Sequence, residues 1–114
     1  MKTRIFHNPR CRKSRAGLEY LRGKTDNVEV IDYIRDGLRR EDVELIIRLL
    51  GIKPAELVRT QEEYYKKELK GKSISDQEWP VIISGNPKLL RRPVVIKGDK
   101  AVIGDPAENI DKLF

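Results

Sequence analysis

The run Lys2-Thr3-Arg4-Ile5-Phe6-His7-Asn8-Pro9-Arg10-Cys11-Arg12-Lys13-Ser14-Arg15, followed through Gly23 to Val28-Glu29-Val30-Ile31-Asp32-Tyr33, decides the fold. Residues 2–6 read as a short strand. Pro9 stops it, and a loop leads to Cys11. Residues 12–22 then place Ala16, Leu18, Tyr20 and Leu21 within a helical period, and Gly23 is suited to end the helix. Residues 28–33 read as a second strand. Strand, helix and strand in this order form a βαβ unit, which implies a parallel pair with a right-handed crossover.

The segments that follow extend this unit. Residues 39–50 carry Val43, Ile46, Ile47, Leu49 and Leu50 at helical spacing, and Gly51 ends them. Pro54 suits the first turn of a short helix that ends near Val58. Thr60 with Glu63, and Ser75 with Glu78, are capping-box patterns. The first predicts a helix over 61–69. The second predicts one through about Ile83, and Pro80 requires it to kink or begin later. Asn86-Pro87 opens another turn. Residues 93–97 and 101–103 flank Gly98-Asp99, a short hairpin signal. Asp105-Pro106 predicts a last helix, with Asp105 as its N-cap, Pro106 in its first position, and Ile110 and Leu113 as its apolar contacts. The expected order is βαβ, a helical block, then ββα around a mixed sheet. That is an α/β, thioredoxin-like order: one domain over 1–114 with a helical insertion at about 38–90.

The bulk numbers agree with a single domain of 114 residues. No apolar run approaches the roughly 20 residues needed to span a bilayer, and no signal-peptide pattern opens the chain. The expected location is cytoplasmic. A single cysteine excludes an internal disulfide, which suits a reducing compartment. The net charge of +6 is unevenly spread. Residues 1–24 hold eight Lys or Arg against one acid, a balance of +7, so residues 25–114 balance to −1. A nucleic-acid protein spreads basic residues over a face with interleaved aromatics. Here the positive field centres on one thiol, which points to a small anion or an anionic thiol partner and away from nucleic acid.

That thiol, Cys11, is placed at a predicted helix N-terminus. Unpaired backbone N–H groups and the positive end of the helix dipole stabilise thiolate over thiol there, and nearby cations add to this. The same groups hold oxyanions. A free cysteine is more often an inert, buried small hydrophobe, but Arg10 and Arg12 beside it argue against burial. His7 is placed to donate a hydrogen bond to the sulfur. Ser14 occupies the place of the second cysteine in a Cys-x-x-Cys motif, so an outside thiol must complete any redox cycle. Trp79, Tyr64 and Tyr65 read as packing residues, and the charged stretch 62–72 as a solvated helix face. No metal site is expected.

His-Asn-Pro-x-Cys-x-x-Ser-Arg at 7–15, with Arg-Arg-Pro-Val-Val at 91–95, resembles the glutaredoxin-coupled arsenate reductase family over essentially the whole chain. The resemblance implies a thioredoxin-like fold with a helical insertion. It implies an enzyme whose Cys11 attacks arsenate, forms an arseno-cysteine and passes it to glutathione, a co-substrate, and to glutaredoxin or another external thiol donor, with no bound cofactor. It implies that His7 lowers the pKa of Cys11, that Ser14 and Arg15 support the loop, that Arg59 and Arg92 bind the oxyanion, and that Pro93 is the cis-proline beside the thiol. The chain departs from the pattern at Ile103-Gly104-Asp105-Pro106, where the family carries a third arginine before the proline. Like charges at about 4 Å cost roughly 1–4 kcal/mol at intermediate dielectric, so an acid there weakens arsenate binding. Two other readings are open: a Spx-type transcriptional regulator that shares the fold and binds RNA polymerase, and a glutathione-dependent reductase of another substrate.

Overall fold

A computed structural model describes residues 2–114. The chain forms two compact units. The first comprises the residues up to Asp36 together with Arg92–Phe114, and the second is Gly37–Arg91.

The first unit is built on a four-stranded mixed sheet of order β2-β1-β3-β4. Its strands are β1 (Thr3–His7), β2 (Val28–Asp32), β3 (Val94–Lys97) and β4 (Lys100–Ile103). Strand β1 pairs parallel with β2 and antiparallel with β3, and β3 pairs antiparallel with β4. The parallel pair is the one expected from the βαβ pattern, and the hairpin turns at Gly98-Asp99 as predicted. The two central strands carry continuous apolar runs, Ile5-Phe6 and Val94-Val95-Ile96, because both of their faces are covered. The edge strand β2 instead exposes both Glu29 and Val30.

Helix α1 (Arg12–Arg22) covers one face. Ile5, Leu21, Val95, Ile110 and Leu113 form the core there, with Leu18, Tyr20, Val28 and Val102 packed at its margin. Burying each large side chain of this kind contributes about 1.5–3 kcal/mol. The buried stripe of α1 is Ser14, Gly17 and Leu21. Ala16, expected inside, faces solvent. A four-residue helix, α2 (Tyr33–Asp36), closes this part of the chain.

The C-terminal element differs from the α-helix expected. It is a 3-10 helix over Ala107–Leu113, and Pro106 precedes it as the cap. Asp105 does not cap it. Its carboxylate turns to Lys13 at 3.3 Å, and the Asn109 side-chain amide donates to the carbonyls of Ile103 and Asp105 at 3.0 and 3.4 Å. The loop carbonyls are thus satisfied from inside the helix.

The second unit is helical. It contains α3 (Arg40–Leu50), 3-10 turns at Pro54–Leu57 and Pro87–Leu89, and α4 (Trp79–Gly85). Gly51 ends α3 at φ +66°, a left-handed conformation that glycine adopts without penalty. Buried Val43, Ile46, Leu57, Leu69, Trp79, Ile83, Leu89 and Leu90 make its core. One expectation is corrected and another is met in its later-starting form. The helix predicted over 61–69 is a π-helical turn at Tyr65–Leu69, in which the Lys70 N–H reaches back five residues to the Tyr65 carbonyl at 2.8 Å. Glu63 does not cap it but lies 3.9 Å from Lys67, while Glu62 accepts a hydrogen bond from Arg59. The Ser75–Glu78 pair does bond, with the Glu78 carboxylate accepting from the Ser75 N–H at 2.7 Å. Helix α4 nevertheless begins only at Trp79, with Pro80 in its first turn, where a missing N–H costs no hydrogen bond.

Candidate active site

Cys11 is the N-cap residue of α1, with extended backbone angles. The loop before it is tied tightly. The Cys11 N–H donates to the Asn8 carbonyl at 3.0 Å, the Arg10 N–H to the Asn8 side-chain oxygen at 3.0 Å, and the Arg15 guanidinium to the Pro9 carbonyl at 2.9 Å. The Arg15 N–H then makes the first helical bond, to the Cys11 carbonyl. An Asn-Pro turn closed by its own Asn side chain is ordinary turn chemistry. Asn8 is therefore a site residue, signalled in the sequence by its type before a proline.

The Cys11 thiol is half-buried. Burial pushes its pKa up, but this is outweighed. The Arg92 guanidinium hydrogen-bonds the sulfur and adds its charge, and the backbone N–H groups of Ser14 and Lys13 donate to it, so the thiol lies below its ordinary value. Two of those donors are the open N–H groups of the first turn of α1. Arg92 arrives from just before β3, and the Arg92–Pro93 peptide is cis.

His7 stands at the end of β1 and is 6% exposed. Its Nδ1 shares a 2.7 Å hydrogen bond with the Ser14 hydroxyl, which also accepts from the Asn8 N–H at 2.9 Å. This nitrogen of His7 therefore meets Ser14 and not the sulfur. Burial holds the His7 pKa below its ordinary value, against an opposing pull from Asp32. The ring is thereby kept neutral near pH 7. Ser14 is fully buried and joins β1, the loop and α1.

The structure thus brings His7, Cys11, Ser14, Arg15, Arg92 and Pro93 together in the first unit. Arg15 is committed to the Pro9 carbonyl. Arg59 belongs to the second unit. Its N–H donates to the Leu89 carbonyl at 2.7 Å, and its guanidinium pairs with Glu62 at 2.7 Å in a contact that is only about one-fifth exposed. Among the described residues no group of three or more His, Cys, Asp or Glu is arranged to hold a metal ion. No helix among them is long and apolar enough to cross a membrane.

A βαβ–ββα sheet that presents one thiol at a helix N-terminus, beside a buried proline, defines a single-cysteine protein of the thioredoxin-like class. Within that class the chain belongs to the ArsC family, which it matches over residues 6–113. It is 34% identical to an arsenate reductase of Neisseria meningitidis over 113 residues, with 97% of each chain covered. It is 36% identical over 109 residues to YfgD of Escherichia coli K12, covering 94% of this chain and 92% of that one. Among solved structures, the arsenate reductase from Vibrio cholerae superimposes with a TM-score of 0.93 at 31% identity, covering 100% of this chain and 98% of the other.

Proposed function

We propose that this chain is a thiol-dependent reductase of an arsenate-type oxyanion, with Cys11 as its nucleophile. One observation carries the reading: in a chain of the ArsC family, a guanidinium and two helix N–H groups converge on a single sulfur. That arrangement favours thiolate at neutral pH, and the thiolate is the nucleophile. Family membership and the arsenate reductases of Neisseria and Vibrio among its relatives support arsenate as the oxyanion.

The chemistry then runs as follows. The Cys11 thiolate attacks arsenic, a sulfur–arsenic bond forms, and one oxygen leaves, protonated, as water. Arsenic remains pentavalent. A glutathione thiol next bonds to arsenic and expels a second oxygen as water. A second thiol, from glutaredoxin, attacks the glutathione sulfur. A disulfide forms between those two as the glutathione sulfur–arsenic bond breaks, and the electron pair of the broken bond passes to arsenic. The trivalent product leaves Cys11 by hydrolysis and the thiolate is regenerated. Two external thiols are oxidised for each arsenate reduced. Arg92, already on the sulfur, stabilises negative charge on the attacked oxyanion. Arg59 serves as a second anion contact, a role supported by the family motif. His7 acts through Ser14 to hold the loop, and Arg15 holds the Pro9 carbonyl. The Cys-x-x-Ser arrangement leaves no intramolecular partner for an oxidised Cys11, which disfavours the dithiol switch of a Spx-type regulator. Asp105 favours one second reading, the glutathione-dependent reduction of a less charged substrate.

A glutathione/glutaredoxin-coupled NADPH assay with arsenate tests the proposal. Wild type is expected to consume NADPH and Cys11→Ser to be silent. Undiminished turnover in Cys11→Ser removes Cys11 from the mechanism.

A further inference from the structure

Gly17 lies in the middle of α1, where glycine is the poorest helix former after proline. Its place is explained by what it faces. A Cβ built on Gly17 would stand 2.5 Å from Pro93 Cγ and 3.2 Å from the Gly104 carbonyl oxygen. A separation of 2.5 Å to a ring carbon cannot be relieved by swinging a side chain, since a proline ring has no free rotamer. Gly104 meets the same atom from another direction. A Cβ there would lie 3.2 Å from Pro93 Cγ and 3.2 Å from Ile110 Cδ1. The Gly104 N–H also donates to the Pro93 carbonyl at 2.8 Å. Pro93 is buried, and it is bonded covalently to Arg92, the residue whose guanidinium reaches the Cys11 sulfur.

We infer that Gly17 and Gly104 are positioning residues. Together they form a slot that seats the Pro93 ring against α1 and so sets the placement of Arg92 over the Cys11 sulfur. The helix that carries Cys11 at its N-terminus is the wall of the slot that locates the opposing guanidinium. A small displacement of the ring therefore transmits directly to the Arg92–Cys11 hydrogen bond. The inference rests on the reading of Cys11 as a stabilised thiolate.

The test is the pH profile of Cys11 alkylation by iodoacetamide, an uncharged probe, on full-length chains whose fold is checked by circular dichroism. Gly17→Ala is expected to move the midpoint upward and slow alkylation at pH 6 by roughly fivefold, because a charge-assisted hydrogen bond to the thiolate is weakened. Gly104→Ala should shift it in the same direction by less, since Ile110 can rotate away, and it carries the test if Gly17→Ala does not fold. Gly85→Ala, on an exposed position of α4 with open space around it, should leave the profile unchanged. In an Arg92→Ala background, Gly17→Ala should add no further shift. An unmoved midpoint in a folded glycine variant, or a shift that adds in full to that of Arg92→Ala, overturns the inference. An ordinary thiol midpoint in the wild type would instead overturn the thiolate reading itself.

Discussion

The side chains of His7, at the end of β1, and Ser14, in the first turn of α1, are joined by a 2.7 Å hydrogen bond buried beneath the loop that carries Cys11. The Ser14 hydroxyl has a second partner, the Asn8 N–H. Its backbone N–H is one of the donors to the thiol. One residue thus fixes the loop with its side chain and serves the sulfur with its main chain.

These two tasks separate under mutation. Ser14→Ala removes the side-chain bonds and keeps the N–H. It leaves a buried imidazole nitrogen and a buried backbone N–H without a partner, which costs roughly 1–3 kcal/mol. Urea unfolding should show that loss. The pH profile of Cys11 alkylation should move much less, because Arg92 and both helix N–H groups are still present. A large upward move of the thiol midpoint with unchanged stability would show that the hydroxyl acts on the sulfur itself.

His7 predicts a pH dependence of stability. Its folded pKa is lowered chiefly by burial, while an unfolded histidine titrates near about 6.5. Between the folded value and about 6.5 the unfolded chain binds more protons, so stability rises with pH across that window, and the contribution present above it is lost as pH falls through the folded value. His7→Gln lacks the titrating group. The difference in unfolding free energy between pH 7.5 and pH 5.5 should therefore be smaller in His7→Gln than in wild type. An equal decline in both would assign the acid limb to other groups.

Much of this fold was legible from pattern alone. The βαβ start, the Gly98-Asp99 hairpin and the helix ended by Gly51 follow from period and turn chemistry, which act within a few residues. What escaped depends on contacts distant in sequence. The inner stripe of α1 is Ser14, Gly17 and Leu21, not an apolar row. At Gly17 the close approach of Pro93 and Gly104, more than 70 positions away, leaves no room for a side chain. Asp105 has the residue type of a helix cap, yet it pairs with Lys13 from the opposite end of the chain. At the site, Cys11 announced itself by the charge around it. The hydrogen bond between His7 Nδ1 and Ser14 depends on the register between β1 and α1, which local sequence does not state.

Arg59 is paired with Glu62, and both side chains are largely shielded. If Arg59 holds an oxyanion, that anion competes with the Glu62 carboxylate. Glu62→Gln removes the competing charge and retains a hydrogen-bonding shape. The arsenate KM should fall a few-fold with kcat nearly constant, the pattern of strengthened ground-state and transition-state binding alike. The melting temperature should fall, since removing one partner of a largely shielded ion pair leaves the other charge poorly compensated. An unchanged KM would place Arg59 outside the anion site.

Asp105 and Lys13 lie 3.3 Å apart across a largely solvated gap. Lys13 is in the first turn of α1, and its N–H is one of the donors to Cys11. The acid therefore offsets the charge of a lysine two residues along the chain from the nucleophile. A surface pair of this kind contributes at most about 1 kcal/mol to stability, so Asp105→Asn should unfold at nearly the wild-type temperature. Removing the acid leaves Lys13 unopposed, and the arsenate KM should fall several-fold at low ionic strength. At about 10 Å, the screening length near 0.1 M salt, the gain should shrink as salt is added. Asp105→Arg should carry the same change further. Alkylation by uncharged iodoacetamide should respond little in either variant, which separates substrate attraction from thiol activation. If KM is insensitive to both substitutions and to salt, Asp105 plays no part in choosing the substrate, and the preference for a less charged one loses its support.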